Sequence, residues 1–178
     1  MLGIDPGTNV LGYAIIEIQN KKLRLIEHGV VKLAHLANHQ LKLKKIFERI
    51  QQLIDIHQPK EMAIEAPFYG KNIQSMLKLG RAQGVAIAAS ITKGVEMTEY
   101  APKKIKQSIT GSGNASKEQV AAMLENILKT KLEHTTFDAT DALATAVCHY
   151  FQTSSLLGKS RQSGGWKGFL KDNPDRIR

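Results

Sequence analysis

Met1-Leu2-Gly3-Ile4-Asp5-Pro6-Gly7 opens the chain. A short apolar run that breaks at Asp-Pro-Gly reads as a buried strand ending in a turn, since proline cannot continue a ladder and glycine frees the backbone. The carboxylate of Asp5 therefore stands at the end of the strand. Met62-Ala63-Ile64-Glu65 repeats the pattern, with Pro67 as the stop. If these two strands are parallel neighbours, both carboxylates emerge at one sheet edge, where open α/β sheets hold their ligands.

Working outward, Val10 to Ile18 and Leu23 to Leu33 are rich in β-formers and separated by a turn at Asn20-Lys21, which makes an antiparallel meander with the first strand. Leu43, Ile46, Phe47, Ile50, Leu53 and Ile54 recur at helical spacing, and that helix ends before Pro59. A second helix is predicted from about Asn72 to Thr92. Its stripe of Ile73, Met76, Leu77, Gly80, Gly84, Ile87, Ala88 and Ile91 is expected to face the sheet, the glycines allowing close packing. Leu79, Val85 and Ala86 lie off that stripe, and a helix apolar on more than one side must bury more than one side. Val95 to Tyr100 reads as a fifth strand, and Pro102 starts a short basic helix. After a loop at Gly111 to Asn114, Ser116 and Gln119 form a capping box for a helix to about Lys129. A last helix runs from near Phe137 to about Gln152. The order βββαβαβααα predicts an α/β fold, a five-stranded mixed sheet with helices on both faces. Residues 1–153 are expected to form the domain and 154–178 a basic, mobile tail.

A chain of 178 residues suits one domain, and its 25 Lys plus Arg against 16 Asp plus Glu give a net charge of +9. That excess favours polyanionic partners. It gathers at Lys103, Lys104, Lys106 and Lys117 and again after Gly158. No apolar run approaches the ~18 residues of a membrane span. The N-terminus does not read as a signal peptide, and one cysteine, Cys148, allows no internal disulfide. A cytoplasmic protein with no membrane partner is expected.

Asp138 and Asp141 are three apart on the last helix and share a face. Around them the helix is small or apolar, with Ala139, Ala142, Leu143, Ala144, Ala146 and Val147. It can therefore lie close to the sheet and turn its acidic pair toward the strand ends of Asp5 and Glu65. Like charges near a buried edge repel. A divalent cation removes that cost, and all-oxygen ligands suit Mg²⁺ or Mn²⁺, not zinc. Simpler roles compete. Thr135 with Asp138 matches a relaxed capping box, Asp5 is a common turn residue, and Lys117 fits a solvated first-turn position. Capping explains Asp138 but not Glu65. His57, His134 and His149 show no metal-ligand spacing.

The ordered set Gly3-Ile4-Asp5-Pro6-Gly7-Thr8 with Gly12-Tyr13, Ala63-Ile64-Glu65, Lys71-Asn72 with Leu77-Lys78-Leu79-Gly80, Gly84-Val85-Ala86-Ile87, Lys106-Gln107, Lys117-Glu118-Gln119-Val120 and Asp138-Ala139-Thr140-Asp141-Ala142-Leu143-Ala144 resembles the RuvC family of junction resolvases, from about residue 2 to 150. The resemblance implies a ribonuclease-H-like fold and a homodimer whose two sites cut opposite strands of a four-way DNA junction symmetrically. It also implies a metal-binding tetrad of Asp5, Glu65, Asp138 and Asp141, served by Mg²⁺ or Mn²⁺ with two ions per site. Lys106 and Lys117 fall on basic positions near the cleaved strand, and Phe68 on an aromatic that engages bases at the junction centre. The RuvA-RuvB branch-migration complex is the implied partner. Two rivals stand beside this. Asp5-Pro6-Gly7-Thr8 also resembles the first phosphate loop of actin-like ATPases, which need two such domains. A non-catalytic DNA-binding relative would lack the full acidic set.

Overall fold

A computed structural model describes residues 1–20, 22–67, 72–132 and 135–159, the last five by backbone alone. Five strands and five helices follow in the expected order: β1 (Leu2–Asp5), β2 (Val10–Gln19), β3 (Lys22–Lys32), α1 (His39–His57), β4 (Glu61–Glu65), α2 (Ile73–Ile91), β5 (Glu96–Tyr100), α3 (Pro102–Thr110), α4 (Lys117–Leu128) and α5 (Phe137–Lys159). The sheet order is β3-β2-β1-β4-β5. β1 runs antiparallel to β2 and parallel to β4, and β4 runs parallel to β5.

Alternation along the strands assigns the two faces. Leu2 and Ile4 of β1, Tyr13 and Ile15 of β2, and Met62 and Ile64 of β4 pack under Ile46, Ile50 and Leu53 of α1 and Ala82, Ala86 and Ala89 of α2. On the other face Ala14 and Ile16 meet Ile105 and Ile109 of α3, Val120 and Leu124 of α4, and Ala142, Leu143 and Val147 of α5. Each large side chain so buried contributes about 1.5–3 kcal/mol.

α5 lies directly on the sheet because two strand positions there carry no side chain. A Cβ on Gly3 would sit 2.7 Å from the Ala146 Cβ and overlap the Ala142 carbonyl. A Cβ on Gly12 would overlap the carbonyl of Asp138. The helix also runs further than expected, to Lys159 rather than about Gln152. Thr153 does not break it, because its hydroxyl donates back to the His149 carbonyl at 3.0 Å.

α2 turns most of the expected stripe outward, although Met76 and Ile87 are half-buried and Ile87 packs against the core. Ile73, Leu77, Gly80, Gly84, Ala88 and Ile91 are exposed, and nothing lies within 4 Å of a Cβ built on either glycine. The buried side is Ala82, Gln83, Ala86, Ala89 and Ser90. Two polar groups can sit there because both are satisfied. Gln83 Nε2 donates to Glu99 of β5 at 3.0 Å, and Ser90 Oγ to the Ile87 carbonyl at 2.8 Å. Among the described residues no helix is long and apolar enough to cross a membrane.

Candidate active site

The register Leu2–Met62, Gly3–Ala63 and Ile4–Ile64 sets Asp5 and Glu65 at adjacent strand ends. Both alternate onto the face of Gly3 and Ala63, toward α5. Asp138 and Asp141 come down from α5, and both are half-buried. Asp5, Glu65, Asp141, Lys106 and Lys117 line one cleft of about 280 Å³ with Pro102, Ile105, Val120 and Ala144. Asp138 is not among its lining residues but lies near enough to act on Asp5.

The electrostatics of the cleft follow from this crowding. Burial, then repulsion from Glu65, Asp141 and Asp138, pushes the Asp5 carboxyl up to about 8 against a pull from Lys117. Burial, then Asp141, pushes Glu65 up to about 7, with Lys117 and Lys106 opposing. Lys117 is the first residue of α4, held by the expected capping box of Ser116 and Gln119. It is an exposed first-turn lysine, as its position suggests, but one committed to a partner. Its ammonium lies 2.5 Å from Asp141 and 5.7 Å from the centre of the Phe137 ring. Hydrogen bonding to Asp141 and attraction to the carboxylates outweigh burial and hold its pKa above the usual value. Lys106 Nζ donates to the Ala115 carbonyl at 2.7 Å, which ties α3 to the loop before α4.

The capping expectation at α5 needs correction. Thr136 accepts from the Ala139 amide at 3.4 Å, so Thr136 takes the cap role. The Thr135 hydroxyl meets His28 Nε2 at 2.9 Å instead. Asp138 thus falls outside any capping box, although it stays in the first turn of α5 and bears on Asp5 from there. His57 pairs with Glu27 and His149 with Glu61, neither at the site. Phe68, Lys71 and His134 lie outside the described residues.

Among the described residues no three His, Cys, Asp or Glu side chains close on one point as a finished cation cage, and Asp141 is engaged by Lys117. The donor set nevertheless fits a hard divalent cation. It is all oxygen and half-buried, and its repulsion is what such a cation relieves.

Sequence reasoning missed Gly3 and Gly12, which set the depth of α5, and Phe137, which flanks Lys117. A glycine facing an alanine-rich helix is a signal for the first two. An exposed aromatic next to an acidic residue is only a weak one for the third.

A mixed sheet that puts two carboxylates at neighbouring strand ends, beneath a helix carrying two more, defines a ribonuclease-H-like nuclease. A family model, "Crossover junction endodeoxyribonuclease RuvC", matches residues 1–149. The crossover junction endodeoxyribonuclease RuvC of Cytophaga hutchinsonii is 60% identical over 178 residues, covering 100% of this chain and 88% of that protein. The solved Thermus thermophilus RuvC structure is 31% identical with a TM-score of 0.79, covering 87% of this chain and 96% of that one. A second Thermus thermophilus structure, RuvC in complex with Holliday junction substrate, has the same identity and TM-score and covers 85% and 93%. The chain belongs to the RuvC family, and it is a nuclease that hydrolyses DNA phosphodiester bonds.

Proposed function

We propose that the chain resolves four-way DNA junctions as a homodimer, each copy nicking one of two opposite strands, with Asp5, Glu65, Asp138 and Asp141 holding the metal. The observation that carries this reading is the cleft itself. Two half-buried, mutually repelling carboxylates lie side by side at strand ends, sharing a cleft with Asp141 and Lys117. The family's chemistry is metal-dependent, and the oxygen donors favour Mg²⁺ or Mn²⁺. Asp5, Glu65, Asp138 and Asp141 would hold two such ions, which when bound would supply an activated water, neutralisation of the phosphoryl oxygens and help for the leaving 3′-oxygen.

The protein's own part is placement and charge. Asp5 and Glu65 are fixed by the ladder, and Asp138 and Asp141 by a helix seated on Gly3 and Gly12. Lys117 holds Asp141 before substrate arrives and is placed to exchange that carboxylate for the scissile phosphate as a point charge. Lys106, anchored on Ala115, adds positive potential at the same mouth. Phe68 engages junction bases, a role that rests on the family resemblance. The products carry 5′-phosphate and 3′-hydroxyl ends.

One cleft cuts one strand, so symmetric resolution asks for two copies on a two-fold axis. The exposed Ile73, Leu77 and Ile91, with Gly80 and Gly84 between them, give α2 an apolar face that a second copy would cover. The RuvA-RuvB complex as partner and the cytoplasm as location complete the reading.

A labelled four-way junction and its matched duplex, each incubated with Mg²⁺ or EDTA, test it. Paired nicks in the junction with Mg²⁺ alone are expected. Cutting in EDTA, or equal cutting of duplex, would overturn it. Junction binding that never leads to cutting would mark a non-catalytic relative.

A further inference from the structure

The sheet edge that carries Asp5 and Glu65 opens on its other face as well. β1 and β4 end at this edge, and β3 ends here opposite the start of β2, since Val10 pairs with Lys32. The chain therefore enters both α1 and α2 from this side. Thr8 and Asn9 follow Asp5 in the turn after β1. With Asn38, His39 and Lys42 at the start of α1, and Ser75 and Lys78 at the start of α2, they line a cavity of about 390 Å³. Among the described residues no carboxylate lines it.

The charge there is one-sided. Neither α1 nor α2 has an acidic residue in its first turn, where a helix dipole favours negative charge. Among the described residues Lys42 meets only a neutral group, Asn9 Oδ1, at 2.9 Å. Lys78, and Arg81 one turn further along α2, have no hydrogen bond or ion pair among the described residues. His39 Nε2 is sealed from solvent without a hydrogen-bond partner among the described residues. Burial first, then Arg81, Lys78 and Lys42, holds the His39 pKa below its usual value, so these cations act together on the cavity. A polar atom buried without a partner is costly, and so are uncompensated like charges. An anion seated in the cavity relieves the like charges.

We propose that this cavity seats a backbone phosphate of the DNA strand beside the cut, with Lys42 and Lys78 as its cations. The proposal rests on the junction-nuclease reading and adds a second anchor to it. The stretch from Asp5 to Asn9 spans at most about 14 Å. A strand crossing the sheet edge would thus be held in the carboxylate cleft on one face and in this seat on the other, in fixed register with Asp5.

The test is fluorescence anisotropy of the full chain with a labelled four-way junction and with duplex, in EDTA, over a range of NaCl concentrations. Lys78→Gln and Lys42→Gln should each weaken binding several-fold and reduce the slope of log K against log [NaCl] by about 1. Lys60→Gln removes the same charge at the opposite sheet edge and should leave the slope unchanged. A scan of single methylphosphonate linkages around the cut should find one linkage whose neutralisation weakens the wild type but costs Lys78→Gln nothing further. Losses that add at every linkage, or an unchanged slope in both lysine variants, would overturn the seat. So would displacement of DNA by inorganic phosphate where sulfate at equal ionic strength has no effect, since the site would then serve a free anion. A wild type that binds junction and duplex alike would refute the junction reading instead. The seat would then be judged by whether Lys78→Gln lowers the slope on duplex.

Discussion

Titrating Mg²⁺ into the metal-free protein should expel protons, and the structure sets how many. Asp5 is pushed up to about 8 and Glu65 up to about 7, first by burial and then by their acidic neighbours. At pH 7 Asp5 then holds about nine-tenths of a proton and Glu65 about half, so a cation that needs both ionised releases about 1.4 protons. At pH 9 the same arithmetic leaves about 0.1. Calorimetry in buffers of different ionisation enthalpy measures this directly, as the slope of observed heat against that enthalpy. In Asp5→Asn the pH 7 value should fall to about 0.5, the share of Glu65. The sign for stability follows. Both acids have raised folded pKa values, so their contribution is fully present below the ordinary carboxylate range near 4 and is lost as pH rises through 7 to 8. For Asp5 the ceiling by pH 7 is about 4 kcal/mol at about 1.4 kcal/mol per pH unit, and solvent at the cleft mouth screens this to about 2. Metal-free protein should therefore melt higher at pH 5.5 than at pH 8, and Mg²⁺ should narrow the gap. Release of less than about 0.3 proton at pH 7 would show both carboxylates already ionised and would refute this account of the cleft.

Glu65→Gln, Asp138→Asn and Asp141→Asn should each lose junction cleavage by orders of magnitude while binding in EDTA holds or tightens, because each removes negative charge facing phosphate. A variant that still cuts near the normal rate removes that residue from the metal site. Gly12→Ala should lower the melting temperature by roughly 3–10 °C, from about 1–3 kcal/mol of overpacking against the Asp138 carbonyl. It should also depress cleavage more than binding, since α5 carries the acidic pair. Unchanged melting and cutting would show that α5 is not held at that depth. Leu77→Glu, on the exposed face of α2, should shift sedimentation at micromolar concentration toward monomer and abolish paired cutting. A wild type that sediments as a monomer yet makes paired cuts would refute the dimer.

The parts of this molecule legible in its sequence are those where one residue meets one local rule. Asp5 before Pro6-Gly7, and Glu65 before Pro67, could be placed at strand ends because proline and glycine punctuate the ladder. Ser116 and Gln119 fixed the start of α4, and with it Lys117, through a capping box the structure contains. Thr135 failed by the same kind of rule, because Thr136 one position later was an equally good cap and His28 was free to take Thr135. What could not be read was depth and facing, which depend on partners distant in sequence. Gly3 and Gly12 matter only because Ala146 and the carbonyls of Ala142 and Asp138 arrive against them from the other end of the chain. On α2 the rule that large apolar residues point inward misplaced most of the stripe. Small residues and two satisfied polar groups fill the core side, and Ile73, Leu77 and Ile91 are left in water. A monomer gains nothing from that arrangement, since each exposed aliphatic forgoes about 1.5–3 kcal/mol of burial. The outward turn itself is therefore an argument for a second copy. The pattern that misleads when one chain is folded alone becomes consistent when the face of α2 belongs to an interface, and the two-fold axis of that interface would supply the pair of clefts that symmetric cutting requires.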